Sequence, residues 1–216
     1  MITVNRGILI AVEGIDGSGK STLAKNVHAQ LCALKLPALL TKEPGGTALG
    51  KQLRTILQEK NVPVCQKTEF LLFAADRAQH FEELVIPALH SNKIVISDRM
   101  ADSSLAYQGF GRGLDLSMLS SINTWAMNGI KPDITLFVKV SAQQAFERVA
   151  ARNETLTSFE KETIEFMERV AHGFETIFKN RTDVVYLDGT KTPEQITNDA
   201  LQYIHTWMQQ QDGINL

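Results

Sequence analysis

The chain has 216 residues and a formal net charge of −2 at pH 7, from 22 basic and 24 acidic side chains. A chain of this length can form one globular domain with a sizeable core, and 44% hydrophobic with 21% charged residues excludes disordered and fibrous proteins. The near balance of charge argues against a nucleic-acid backbone or an anionic membrane as the main partner. We therefore expect a single domain over residues 1–216, with no nucleic-acid or membrane partner.

The two cysteines and the hydropathy pattern bear on the compartment. Cys32 and Cys65 fit no metal-binding spacing and are too few for a disulfide framework, which favours a reducing compartment. No apolar run approaches the roughly 18 residues of a membrane span, and no basic segment followed by an apolar run opens the sequence. These features predict a cytoplasmic protein.

Five short apolar runs alternate with helical patterns along the chain. The runs are continuous in Val, Ile and Leu, as in strands of a parallel sheet that is covered on both faces. The helical stretches between them are long enough for crossovers between parallel strands. We therefore predict an α/β three-layer sandwich whose five parallel strands are Ile8–Val12, Ala38–Leu40, Ile94–Ile96, Ile134–Val140 and Val184–Leu187.

The helix boundaries carry local signals. One helix should begin near Thr47, and a long one should run from about Thr68 to Leu89, where Pro87 should bend or end it. Ser141 can cap a helix, and Thr192 opens a capping box with a proline at the first helical position. The apolar stripe predicted after Ser141 consists of Ala142, Ala145, Phe146 and Val149.

The stretch Gly14–Ser21 matches G-x-x-x-x-G-K-[ST] in full, between an apolar run and a helical pattern. Glycines let backbone N–H groups point at phosphate oxygens, Lys20 supplies charge for the β- and γ-phosphates, and the Ser21 hydroxyl can bind Mg²⁺. A chance match on a glycine-rich turn is the alternative, and the flanking strand and helix argue against it. The predicted ATP-binding residues are Gly14, Ile15, Asp16, Gly17, Ser18, Gly19, Lys20, Ser21 and Thr22.

Acidic residues follow several of the predicted strands. Glu13, Glu43, Asp98 and Asp188 stand at or just after strand ends, and the carboxyl ends of parallel strands form the ligand-binding edge of such a sheet. Asp98 can hold Mg²⁺ beside the phosphate loop, and Arg99 is a planar donor suited to a phosphate. Taken alone, Asp98 and Arg99 are more typical of a surface ion pair than of a binding site.

Phe73 and Arg77 lie four residues apart on one predicted helix face. A base can stack on Phe73 while Arg77 donates to a carbonyl at its edge. The alternative is a core phenylalanine beneath a surface arginine. Similarly, Glu43–Thr47 is either part of a binding site or only a strand-to-helix turn.

Taken together, these motifs resemble the thymidylate kinase family. They are E-G-x-D-G-x-G-K-S-T, E-P-G-G-T, F-A-A-D-R, D-R followed by D-S-S-x-A-Y-Q-G, and K-P-D, in family order and across nearly the whole chain. The resemblance implies a P-loop NTPase-like fold with a short lid at about residues 150–159. It also implies ATP-dependent, Mg²⁺-assisted phosphorylation of dTMP to dTDP by direct in-line transfer, and a homodimer.

The resemblance also implies roles for single residues. Phe73 would stack on the thymine, and Arg77 would bond its exposed oxygen. Arg99 would bind the 5′-phosphate, and Tyr107 would lie under the deoxyribose and disfavour a 2′-hydroxyl. Asp16 resembles the acidic residue that reaches the 3′-hydroxyl and the arginine of the D-R motif. The other implied substrate-binding residues are Glu43, Pro44, Ser104 and Gln108.

The source of positive charge on the transferred phosphoryl group differs within the family. Gly17 stands where some members carry an arginine, so the charge should come from the lid, as in the bacterial form. Arg152 is the first candidate. Arg148, which is also predicted to bind ATP, is the second, although it could also be a solvated helix position. The lid has fewer arginines than the resemblance implies. The predicted catalytic residues are Lys20, Arg99, Arg152 and Asp16.

Three other functions compete with this assignment. A kinase for a different nucleotide would differ in its preferred acceptor. A switch-type GTPase needs a guanine-recognising N-K-x-D motif, which the sequence lacks. A non-catalytic nucleotide-binding protein would show no ADP release that depends on dTMP.

Overall fold

The computed structural model describes residues 5–59, 63–151, 157, 159–160 and 162–211. Within them, five strands form one sheet of order β2-β3-β1-β4-β5, and every neighbouring pair is parallel. The strands are β1 Ile8–Glu13, β2 Ala38–Lys42, β3 Ile94–Asp98, β4 Ile134–Lys139 and β5 Val184–Asp188. Each predicted apolar run therefore corresponds to a strand, and the predicted parallel sheet is confirmed.

Helices cover both faces of the sheet. They are α1 Lys20–Ala33, α2 Ala48–Glu59, α3 Gln66–His80, α4 Ile86–His90, α5 Ala101–Ser104, α6 Leu116–Ala126, α7 Ala142–Ala150, α8 Ile164–Phe178 and α9 Pro193–Gln210, with π-helical segments at Phe81–Val85 and Leu105–Gly111. None of the helices in the described ranges has the length and apolar composition needed to cross a bilayer.

The continuous apolar character of β1 follows from its central position in the sheet. Ile8, Ile10 and Val12 pack into a core with residues of α1 and α9. Leu9 and Ala11 face the opposite core, which contains residues of the Phe81–Val85 segment. Since alternate side chains enter different cores, no position on this strand is polar until Glu13 at its carboxyl end.

The predicted helix over Thr68–Leu89 is correct in extent, but Pro87 does not end it. The chain stays helical from α3 through Phe81–Val85 into α4, which ends at His90. Proline lacks an N–H and its ring clashes with the carbonyl four residues earlier in an α-helix. The wider π-helical turn immediately before Pro87 relieves both problems.

The helix caps match the sequence patterns. Ser141 with Gln144 and Thr192 with Gln195 form complete capping boxes. One residue of the predicted stripe is wrong, because Phe146 on α7 is 45% exposed. The buried face of α7 contains Ala142, Ala145 and Val149, and position 146 lies beside this narrow stripe.

Candidate active site

A cavity of about 420 Å³ lies at the carboxyl ends of β1, β2 and β3. The register places Val12 beside Asp98, which brings the loop after β1 against the end of β3. The predicted residues that line the cavity are Asp16, Gly17, Gly19, Lys20, Ser21, Thr22, Glu43, Pro44, Phe73, Arg77, Asp98, Arg99, Ser104, Tyr107 and Gln108. One cavity thus contains residues of both the predicted ATP site and the predicted substrate site.

The loop between β1 and α1 needs its glycines. Gly17 and Gly19 have φ of 85° and 96°, in the left-handed region that favours glycine. A Cβ on Gly17 would lie 2.4 Å from the carbonyl oxygen of Ala145. A side chain at position 17 would therefore require the loop or the neighbouring α7 to shift.

Asp16 connects the two cationic side chains predicted to act in catalysis. Its Oδ1 accepts from Arg99 Nη2 at 2.5 Å and from Lys20 Nζ at 3.3 Å. Although burial alone would raise the pKa of Asp16, the charges of Arg99 and Lys20 hold that pKa well below its usual range. The three groups form one charged cluster at the base of the cavity.

Tyr107 braces this cluster from the π-helical segment Leu105–Gly111. Its hydroxyl donates to Asp16 Oδ2 and accepts from the Asp16 N–H, both at 3.0 Å. The Arg99 guanidinium carbon lies 5.0 Å from the centre of the Tyr107 ring. Tyr107 thereby holds the phosphate loop and Arg99 in a fixed relation.

Ser21 and Asp98 form the candidate metal site. The Ser21 hydroxyl donates to Asp98 Oδ2 at 2.5 Å, whereas Asp98 Oδ1 is buried and has no hydrogen-bond partner among the described residues. No group of three His, Cys, Asp or Glu side chains suited to a metal occurs in that part of the chain. The donor set fits Mg²⁺, which typically takes one or two protein oxygens and completes its shell with phosphates and water.

Arg77 is buried, and Phe73 packs at the edge of a core cluster, facing the cavity. Arg77 is 1% exposed, whereas Phe73 is half-buried and lines the cavity. Arg77 donates to Glu43 Oε2 at 2.8 Å, to Asn123 Oδ1 at 2.6 Å and to Ser104 Oγ at 3.2 Å. The alternative of a core phenylalanine beneath a surface arginine is therefore wrong.

Glu43 holds Arg77 in place rather than projecting freely into the cavity. Its second oxygen lies 2.9 Å from His80 Nδ1, and the His80 Nε2 lies 2.7 Å from Thr41 Oγ1. Burial would raise the pKa of Glu43, but the Arg77 charge and the His80 hydrogen bond outweigh it, and the pKa is lowered. The Glu43–Pro44 peptide bond is cis.

Glu13 supports Arg99 from beneath. Its carboxylate, fully buried, accepts from the N–H groups of Met100 and Ser103 and from Ser103 Oγ at 2.5 Å. Ser103 Oγ in turn lies 2.9 Å from Arg99 Nη1. Burial, with the Asp102 charge adding to it, raises the pKa of Glu13 to about 7. The sequence placed Glu13 at a strand end without assigning it this role.

Some supporting residues had no recognisable signal in the sequence. Asn123 is an isolated amide on α6, and Glu69 precedes the F-A-A-D-R motif on α3. Asp76 lies within that motif, and its Oδ1 accepts from the Gly45 N–H at 3.0 Å. Both motifs, E-P-G-G-T and F-A-A-D-R, were recognisable in the sequence, but the hydrogen bond between Gly45 and Asp76 that joins them was not.

Of the two candidate lid arginines, the structure describes Arg148 but not Arg152. Arg148 Nη2 donates to the Gly189 carbonyl at 2.8 Å, so this side chain contacts the loop after β5. Arg148 is not among the residues that line the cavity, nor are Gly14, Ile15 and Ser18 of the phosphate loop. Arg152 lies outside the described residues.

The chain is similar to known thymidylate kinases. Residues 12–200 match the family model described as thymidylate kinase. The thymidylate kinase of Carboxydothermus hydrogenoformans is 44% identical over 191 residues, covering 88% of this chain and 93% of that relative. The thymidylate kinase of Finegoldia magna is 39% identical over 198 residues, covering 91% and 97%.

A solved structure agrees with these sequence matches. The crystal structure of thymidylate kinase from Ehrlichia chaffeensis has a TM-score of 0.77 and 30% identity, covering 92% of this chain and 99% of that one. The fold similarity confirms the predicted P-loop NTPase-like α/β architecture. Because the family model and these relatives extend over most of the sequence, the chain belongs to the thymidylate kinase family.

Proposed function

We propose that this family member phosphorylates dTMP by direct in-line transfer of the γ-phosphoryl group of ATP, giving dTDP and ADP. The observation that carries the proposal is the shared carboxylate of Asp16, which holds Arg99 and Lys20 together. Arg99 belongs to the proposed acceptor side and Lys20 to the proposed donor side. The 5′-phosphate of dTMP and the γ-phosphate of ATP would therefore meet between these two cations. An acceptor phosphate oxygen is already nucleophilic, and catalysis then consists of positioning and charge stabilisation.

On the donor side, the loop and helix start at Gly14–Thr22 bind the phosphates of ATP. The first N–H groups of α1 have no partners within the helix, and they face the phosphates with the positive end of the helix dipole. Lys20 binds the β- and γ-phosphates. Ser21 and Asp98 would hold Mg²⁺, which supplies neutralising charge to the phosphates when it is bound.

On the acceptor side, the base of dTMP stacks on Phe73 and Arg77 donates to its exposed oxygen. Glu43 and Asn123 fix the guanidinium of Arg77, so this donor is positioned before the ligand arrives. Arg99 leaves Asp16 in part to bind the 5′-phosphate. The substrate's 3′-hydroxyl lies near Asp16, and its deoxyribose lies on Tyr107. Pro44, Ser104 and Gln108 complete the walls of the pocket.

The lid supplies the remaining charge in this proposal. Arg152 closes over the transferred group, and Arg148 is the second candidate. Closure excludes water from the transferring phosphoryl group. A single-domain organisation over 1–216 and a cytoplasmic location stay predictions from the sequence.

An acceptor panel tests the function. The purified chain is assayed with ATP and Mg²⁺ against dTMP, dUMP, UMP and dCMP, and ADP release is followed by a coupled assay. We expect dTMP to have the highest kcat/KM. Preference for another monophosphate would indicate a different nucleotide kinase, and ADP release that does not depend on any acceptor would remove the kinase assignment.

We also propose that the chain is a homodimer that associates through α3 and α6. These helices pack together around Phe70 and Leu119 and expose Leu71, Met118 and Trp125, which are 53%, 61% and 78% exposed. Large exposed apolar side chains on two adjacent helices are typical of an association surface. Light scattering after size exclusion should give twice the chain mass, and Trp125→Lys should give the monomer. A monomeric wild type would refute this.

A further inference from the structure

A buried carboxylate lies behind the wall of the base pocket and has no role in the mechanism above. Glu69 on α3 is 3% exposed. Its Oε1 accepts from Gln108 Nε2 at 3.0 Å and from Arg112 Nε at 3.2 Å, and its Oε2 accepts from Arg112 Nη2 at 3.3 Å. Glu69 thus contacts Gln108, a cavity-lining side chain, without lining the cavity itself.

This contact determines which way the Gln108 amide points. An ionised carboxylate is only an acceptor, so the amide must present its NH₂ group to Glu69. The amide is planar, and its carbonyl oxygen therefore lies at the other end of the group. Since Gln108 is buried yet lines the cavity, that carbonyl oxygen is the end offered to a bound base.

We infer that Glu69 is a positioning residue that sets base specificity by fixing the Gln108 amide with its acceptor towards the base. Thymine and uracil carry an N–H donor at ring position 3, which this acceptor matches. Cytosine has a ring nitrogen acceptor there, which faces the Gln108 carbonyl without a hydrogen bond. The inference rests on the proposed function, in which the base lies between Phe73 and Gln108.

Arg112 is a second neighbour of the Glu69 carboxylate. Besides both oxygens of Glu69, it binds Glu162 Oε1 at 2.6 Å, and its guanidinium carbon lies 4.6 Å from the centre of the Phe166 ring. Among the described residues, the Arg112 side chain makes no hydrogen bond to the Gln108 amide, so any effect of Arg112 on the base is indirect.

The decisive variant is Glu69→Gln. A glutamine at position 69 can either accept a hydrogen bond from the Gln108 NH₂ group or donate one to the Gln108 carbonyl oxygen. Gln108 can then turn either its carbonyl oxygen or its NH₂ group towards the base. We measure kcat and KM for dTMP, dUMP and dCMP. The preference for dTMP over dCMP should fall by about tenfold or more, mainly through KM, as expected when one specifying hydrogen bond is lost. The preference for dTMP over dUMP should not change, because both bases carry the same N–H.

Two further variants separate orientation from general loss of packing. Arg112→Gln removes the charge but keeps the Glu69 acceptor, so the dTMP-to-dCMP ratio should stay as in the wild type even where stability falls. The double variant Glu69→Gln/Gln108→Glu exchanges the two groups, and the new carboxylate again offers an acceptor to the base. It should restore the dTMP preference that the single variant loses.

The outcomes distinguish this inference from the proposed function. A wild type that does not phosphorylate dTMP overturns the function. A wild type active on dTMP whose Glu69→Gln variant keeps its full dTMP-to-dCMP ratio overturns the inference alone. Loss of that ratio in Arg112→Gln, or failure of the exchanged pair to prefer dTMP, also overturns it. Circular dichroism establishes that each variant is folded. If Glu69→Gln does not fold, the dTMP preference of the double variant Glu69→Gln/Gln108→Glu decides the test.

Discussion

The guanidinium of Arg99 lies 2.5 Å from the carboxylate of Asp16, joining the turn after β3 to the phosphate loop after β1. Arg99 adopts φ of 74° to reach this position, in a backbone region that L-residues rarely occupy. The β1–β3 pairing brings the two segments together, and Tyr107 braces both. The Arg99–Asp16 pair thus links the predicted acceptor side of the cavity to the phosphate loop.

Replacing either cation at this junction should abolish turnover and leave the fold intact. Lys20→Ala removes charge from the donor phosphates, and Arg99→Ala removes the group that positions the acceptor phosphate. Steady-state rates and circular dichroism are measured for each variant. Lys93→Ala, an exposed lysine before β3, is the matched control and should retain the wild-type rate. A near-wild-type rate for Lys20→Ala or Arg99→Ala would refute the assigned roles.

The pair of Ser21 and Asp98 predicts a change in metal dependence. Asp98→Asn removes the charge of a carboxylate whose Oδ1 is buried without a partner in the described structure. The Mg²⁺ concentration that gives half the maximal rate should rise about tenfold or more. Titration of Mg²⁺ at saturating ATP and dTMP measures this. Asp199→Asn, which changes a partly exposed acid on α9 far from Asp98 in the chain, should leave the titration unchanged. An unshifted curve for Asp98→Asn would argue against the site.

The half-buried ring of Phe73 predicts a selective loss of acceptor binding. Stacking of a base on an aromatic side chain is worth about 1–3 kcal/mol, so Phe73→Ala should raise the KM for dTMP roughly tenfold or more. The KM for ATP should stay near its wild-type value, since the proposed ATP site does not include Phe73. Phe146→Ala, a phenylalanine exposed on α7, serves as the control. Equal increases in both KM values would instead indicate a general disturbance of the cavity.

The raised pKa of Glu13 predicts a particular dependence of stability on pH. Glu13 titrates at about 7 in the folded chain, whereas an unfolded glutamate titrates at about 4.3. Between these values only the folded state holds the proton, so this group's contribution to the free energy of unfolding falls as pH rises and levels off above about 7. The total change is on the order of 3 kcal/mol.

The glutamine side chain of Glu13→Gln cannot ionise, so this variant should lack the fall in the free energy of unfolding with rising pH that Glu13 causes. Its stability relative to the wild type should therefore increase from about pH 5 to about pH 8. Urea unfolding at each pH measures the difference, and Glu168→Gln on the exposed face of α8 provides the control. A difference between Glu13→Gln and the wild type that is constant over this range would show that Glu13 titrates normally.

Patterns within a few residues predicted much of the fold. The five continuous apolar runs became the five strands, and the capping boxes at Ser141 and Thr192 start α7 and α9 as predicted. These features depend on local backbone preferences and on the periodicity of burial, which a sequence displays directly. Pro87 does not end the helix, because the chain passes through a π-helical turn before it and stays helical to His90.

For the candidate site too, short motifs were predictable from the sequence, whereas long-range contacts were not. The sequence by itself determined the phosphate loop, the D-R motif and the presence of Phe73 and Arg77 on one helix, because each is a short pattern with its own chemistry. Only the tertiary structure decided that Arg77 is buried, that Glu43 and Asn123 hold it, and that Glu69 orients Gln108. These partners lie 34, 46 and 39 residues apart in the chain. Hydrogen bonds of this range form only after the sheet and helices have packed, so no local spacing encodes them.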